Sequence, residues 1–127
     1  MEVLKFNPHS PIVLLRAKIF GPKFSLSARL VLDTGSTFTI LPWEIVNQLG
    51  LKINPNQRET ITTATTIETS PLVLIPKIII LGKTVKKMPC LVKDLPPEAG
   101  VDGLLGLSFL RNFKLTLNFP LGILSFE

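Results

Sequence analysis

Asp33 follows the run Arg29-Leu30-Val31-Leu32 and is followed at once by Thr34, Gly35, Ser36 and Thr37. Asp is a poor strand residue and is costly to bury unpaired, so its place after three aliphatics calls for a reason. Two reasons are open. The carboxylate could bond the backbone beyond it as an Asx turn, with Gly35 supplying an awkward backbone angle. Alternatively, a carboxyl held against an apolar cleft floor could share a proton and activate water. Other chemistry has little material. One His and one Cys leave almost nothing for a zinc site or a Cys-His pair. His9 falls in the polar loop Asn7-Pro8-His9-Ser10-Pro11 and reads as solvated. Cys90, within Met88-Pro89-Cys90-Leu91-Val92, reads as a small buried hydrophobe, and a lone cysteine excludes an internal disulfide. Neither a metal nor a cofactor is expected.

Short strands must position that acid. Residues 2–6 alternate loosely, residues 12–20 form a β-branched and aliphatic run, and residues 24–30 alternate apolar with polar before leading into Asp33. Phe38 to Leu41 is a further short strand. Residues 42–50 predict a helix: Pro42 suits the first position, Glu44 the first turn and Gly50 the end, with Ile45, Val46 and Leu49 as the apolar stripe. The Thr-rich segment 58–70 predicts a hairpin with a polar, exposed tip. A second hairpin, residues 72–81 and 84–92, is expected around Gly82-Lys83, and residues 94–100 read as a plain loop. Residues 114–119 and 123–126 close the chain as strands.

A second informative stretch is Val101-Asp102-Gly103-Leu104-Leu105-Gly106-Leu107-Ser108-Phe109-Leu110, in which Ser108 is a candidate cap for a short helix through Phe113. The chain has only three Asp, and Asp102 could be offered as a partner for Asp33. Its Val-Asp-Gly setting is a common turn signal, so it is read as a turn or polar support.

A strand ending in Asp33-Thr34-Gly35-Ser36, followed about 70 residues later by Leu104-Leu105-Gly106 and a short helix, resembles the retroviral-type (retropepsin-like) aspartic proteases. The resemblance runs in order over nearly the whole chain. It implies an all-β fold, a closed barrel with one or two short helices, with residues 1–127 as a single lobe. It implies that Asp33 is catalytic and that a homodimer pairs two Asp33 carboxyls on a peptide or protein substrate. Thr34 would then bond across the twofold axis, Gly35 would admit the backbone close to the carboxyl, and Ser36 would bond the outer carboxylate oxygen. Leu104, Leu105 and Gly106 would pack beneath the loop, with Gly106 allowing close approach. Thr63, Ala64 and Thr65 would lie near the tip of a flap over the substrate, and the terminal segments 2–6 and 123–127 would pair between subunits. The chain lacks the second Asp-Thr-Gly-like loop, and the length, of two-lobed relatives.

Composition narrows the rest. The 127 residues, 46% hydrophobic and 18% charged, suit one domain with a real core, some of whose apolar surface a partner subunit could cover. The net charge of +5 is spread along the chain apart from Lys83, Lys86 and Lys87. With no Tyr for stacking, nucleic-acid binding is not expected. No apolar run reaches the ~20 residues of a membrane span. The first residues lack the features of a signal peptide, so a cytoplasmic protein is expected. The competing functional reading is a non-catalytic peptide-binding or dimerisation module on the same fold.

Overall fold

The computed structural model describes residues 2–62 and 64–127. Ten strands and two short α-helices follow one another as β1 (Val3–Lys5), β2 (Leu14–Phe20), β3 (Ser25–Leu32), β4 (Thr39–Leu41), α1 (Trp43–Gln48), β5 (Arg58–Thr62), β6 (Ile67–Ile80), β7 (Lys83–Val92), β8 (Gly103–Leu105), α2 (Leu107–Leu110), β9 (Leu115–Asn118) and β10 (Ile123–Phe126). A 3-10 turn, Pro97–Ala99, interrupts the expected loop before β8.

Period-two patterning decides which side of each strand is buried. Along β2, Leu15, Ala17 and Ile19 are buried while Arg16 and Lys18 are exposed; along β3, Ala28 and Leu30 point inward between the exposed Ser27 and Arg29. Those inward faces close on themselves. The strands run β2-β3-β8-β4-β7-β6, and β6 returns to β2 through Lys18↔Ile79, Ile19↔Ile78 and Phe20↔Lys77. The result is a closed six-stranded barrel around Leu15, Ile19, Leu30, Ile75, Ile78 and Met88. Closure leaves the barrel with no open edge. β5 pairs with β6 alone and projects the hairpin 58–70 from the barrel.

β6 departs from the expected division into two strands. It runs unbroken for 14 residues through Pro71 and Pro76. The prolines are tolerated because each loses only one donor: Pro71 lies opposite Arg58 at the end of the β5 ladder, and the bridge at Pro76 is simply missing between Ile75↔Met88 and Lys77↔Lys86. Leu81 (φ 49°) and Gly82 (φ 75°) then form a two-residue turn with both centres left-handed, the geometry that matches strand twist.

The terminal strands form a sheet of their own within the chain. β10 lies between β1 and β9, pairing with both through registers such as Leu4↔Leu124 and Leu117↔Leu124. Both edges of β10 are therefore occupied within the chain, and of this sheet only the outer edges of β1 and β9 remain for another strand. Phe126 packs on Phe109 of α2, ring centroids 5.5 Å apart, and so ties this sheet to the barrel.

Candidate active site

The turn after β3 is held from two sides. On one side β8 lies parallel to β3, pairing Val31 with Leu104 and Leu32 with Leu105, and the Asp33 amide continues the ladder by donating to the Leu105 carbonyl at 3.0 Å. On the other side the first amides of α2 are spent on the loop: Leu107 N–H donates to Ser36 O at 2.8 Å and Ser108 N–H to Thr37 O at 3.1 Å. Both ends of the loop thus hang on residues 105–108, which is the physical meaning of the Leu-Leu-Gly stretch.

Gly106 sits at the tightest point. A Cβ there would lie 2.3 Å from the Phe38 carbonyl oxygen and 2.6 Å from that of Ser36, so nothing larger fits without moving backbone. Leu105 is fully buried, whereas Leu104 is half-buried and faces the same cavity as Asp33.

The Asp33 carboxylate is half-buried. Its Oδ1 accepts the Gly35 N–H at 3.0 Å, and the Ser36 N–H donates to the Asp33 carbonyl at 3.2 Å, so the loop is an Asx turn. Among the described residues, Oδ2 receives no hydrogen bond. The turn reading and the catalytic reading are therefore compatible in geometry: one oxygen fixes the loop and the other is left over. Ser36 does not take the role expected for it. Its hydroxyl donates to the Phe38 carbonyl at 2.6 Å and closes the loop instead of reaching the carboxylate. Thr34 is exposed at the turn.

Thr39 and Ser108 were not singled out in the sequence as site residues, yet they brace this loop. Thr39 N–H donates to Ser108 Oγ at 2.8 Å, the two hydroxyls are 3.0 Å apart, and Gly106 N–H donates to Thr39 Oγ1 at 3.2 Å. Ser108 is thus no helix cap; the residue before α2 is Gly106, and Ser108 is turned into the core against β4. Nothing in a lone Thr and a lone Ser, 69 residues apart, signals the pairing.

Asp33 lines a cleft of about 600 Å³ with Gly35, Ser36, Ile40, Leu91 and Leu104 on one side and Glu59 to Thr62 of β5 on the other; Lys93 completes the wall. The projecting hairpin therefore covers the acid through the side of β5. Ala64 and Thr65 occupy the bend beyond β5, exposed and away from the cleft lining, and Thr63 lies outside the described residues. Asp102 lines a separate groove. Its Oδ2 accepts the Arg29 N–H at 2.7 Å and its own N–H donates to Arg29 O at 2.9 Å, which pins the chain entering β8 to β3. Among the described residues no group of acids, His or Cys could hold a metal ion, and no helix is long and apolar enough to cross a membrane.

Residues 15–109 match the model of a family described as aspartyl protease. No curated protein sequence matches the chain. Among solved structures, the fold is similar to that of a retropepsin-like aspartic protease from Rickettsia conorii, with a TM-score of 0.66 and 22% identity over 96% of this chain and 94% of that one. The family match spans well over half of the sequence and contains both stretches that fix the loop. This chain belongs to the aspartyl protease family, and its all-β barrel with two short helices is of the retropepsin-like kind.

Proposed function

We propose that this chain is an endopeptidase whose catalytic group is Asp33, acting in a homodimer that brings two Asp33 carboxyls together, with residues 1–127 as one lobe. The observation that carries this is the carboxylate itself: fixed through its amide to Leu105, anchored through Oδ1 to Gly35, with Oδ2 left over, in a cleft under a hairpin. One chain supplies a single such acid. Asp102, the acid directly before Gly103, is committed to the Arg29 backbone.

Two carboxyls side by side cannot both ionise, the well-known behaviour of aspartic-protease dyads, and the pair shares one proton. The ionised member takes a proton from water as the water attacks the peptide carbonyl. The protonated member gives its proton to the developing oxyanion; as the C–N bond breaks it takes that proton back, and the other member passes the proton it drew from water to the leaving amine. Exposed Thr34 lies beside Asp33 and would meet its twofold mate. Exposed Ile12 and Phe119, which line a hollow with Thr34, supply apolar surface there.

The test compares wild type with Asp33→Asn on a mixed peptide library between roughly pH 4 and 7, the range a shared-proton pair suggests. Sedimentation is recorded on the same samples. Cleavage by wild type alone, with both proteins dimeric, is the expected outcome. A folded wild-type dimer that cleaves nothing would favour a peptide-binding module. An active monomer would overturn the paired-carboxyl mechanism.

A further inference from the structure

The cleft carries two charges besides Asp33, and strand register decides what each can do. In the hairpin, Ile61 pairs with Glu68 and Glu59 with Ser70. Opposite residues share a face, as do alternate residues along a strand, so Glu59, Ile61, Glu68 and Ser70 form one face. On that face Ser70 is buried and Ile61 and Glu68 are half-buried, while Glu59 is exposed; all of Glu59 to Thr62 border the cleft. Lys93, which enters the cleft from beyond β7, places its ammonium on the Glu68 carboxylate. Its charge is already matched.

Glu59 is different. It lines the cleft and, among the described residues, forms no ion pair. Its chain neighbour Arg58 is turned to the other face, where Nη2 donates to the Thr69 carbonyl at 3.1 Å. A carboxylate is thus left over at the wall of a cleft whose other lining includes Ile40, Ile61, Leu91 and Leu104. The chain as a whole carries +5 and would repel a basic peptide at long range. Ionic screening over roughly 8–10 Å leaves the nearest charge to decide inside the cleft.

Building on the proteolytic reading, we propose that Glu59 is a specificity residue that favours peptides carrying a Lys or Arg close to an otherwise apolar cleavage site. Matched peptides differing only in Lys, Gln or Glu, placed in turn at each position flanking the scissile bond, test this with wild type, Glu59→Gln and Glu59→Lys. At one position wild type is expected to prefer Lys over Glu by about two- to fivefold in kcat/KM at low salt, the range open to an exposed ion pair. The difference should reside in KM, because the contact is made equally in ground and transition states. It should vanish in Glu59→Gln, reverse in Glu59→Lys and shrink in high salt. Binding of the same peptides to Asp33→Asn gives the same ordering without turnover. Wild-type cleavage with no charge preference, or a preference unchanged in Glu59→Gln, overturns the role of Glu59 and leaves proteolysis standing. Binding that follows the Lys-over-Glu order with no cleavage by wild type overturns proteolysis and leaves Glu59 its role.

Discussion

Replacing Thr39 by Val keeps shape and strand preference but removes the hydroxyl on which the Gly106 amide rests. Thr39 is fully buried and Ser108 is 9% exposed, so water does not stand in for the lost partner. An orphaned buried donor costs about 1–3 kcal/mol. The Gly106 N–H is orphaned outright, and the Ser108 hydroxyl loses the acceptor 3.0 Å away, so about 3 kcal/mol is expected. Ser108→Ala instead orphans the Thr39 N–H, for about 2 kcal/mol. The bond between the two hydroxyls is lost in each single variant and only once in the double. The double variant should therefore be more stable than additivity predicts, by about 1 kcal/mol. Thr39→Ser, which keeps the oxygen, should lose under about 1.5 kcal/mol, the cost of a methyl group. Urea unfolding followed by the fluorescence of Trp43, the sole tryptophan, reads all four at one protein concentration, held fixed because assembly would shift the midpoint. Equal losses in Thr39→Val and Thr39→Ser, or strict additivity in the double variant, would refute the network as the brace of the Asp33 loop.

Two further outcomes follow from the same geometry. Gly106→Ala drives a methyl group into the Phe38 and Ser36 carbonyls; it should cost about 3 kcal/mol, the upper end for overpacking, and lower proteolytic turnover more than substrate binding by displacing the Asp33 loop. Thermal unfolding and kcat measured together check it, and unchanged stability would show that the loop yields freely. Burial pushes the Cys90 thiol far above its ordinary range, so it should resist alkylation in the folded protein and react at once on unfolding. Above about pH 8.5 the unfolded chain releases this proton while the folded chain keeps it. Stability should fall with rising pH there, by up to about 1.4 kcal/mol per unit, a component missing in Cys90→Ala.

The elements that the sequence makes legible are those whose cause is local. Alternation along residues 24–30 and 114–119, the Pro42-to-Gly50 helix signals and the Thr and Ile content flanking the tip of the 58–70 hairpin each reflect neighbours in the chain, and each corresponds to an observed element with its ends shifted. What escaped has its cause across the fold. Nothing in Gly103-Leu104-Leu105 announces a strand, because three residues have no period; they become β8 only between β3 and β4. Residues 67–80 read as two strands, one ending at 70 and the next starting at 72, yet partners on β5, β7 and β2 carry a single strand through Pro71.

The candidate site divides in the same way. Asp33 could be singled out because an acid after three aliphatics is anomalous at the level of the chain, and Gly106 because its place after Leu104-Leu105 matched a known order. The residues around them, Thr39 with Ser108 at the loop and Lys93 with Glu68 beside the cleft, are ordinary where they stand and come together only through contacts at long separation. Ser36 shows the limit most directly. Its hydroxyl had a carboxylate and a carbonyl within the same loop to choose from, and the fold, by drawing Phe38 back against Gly106, presents the carbonyl. Which acceptor a side chain takes is set by where the backbone is pulled, and here that pull comes from the other end of the chain.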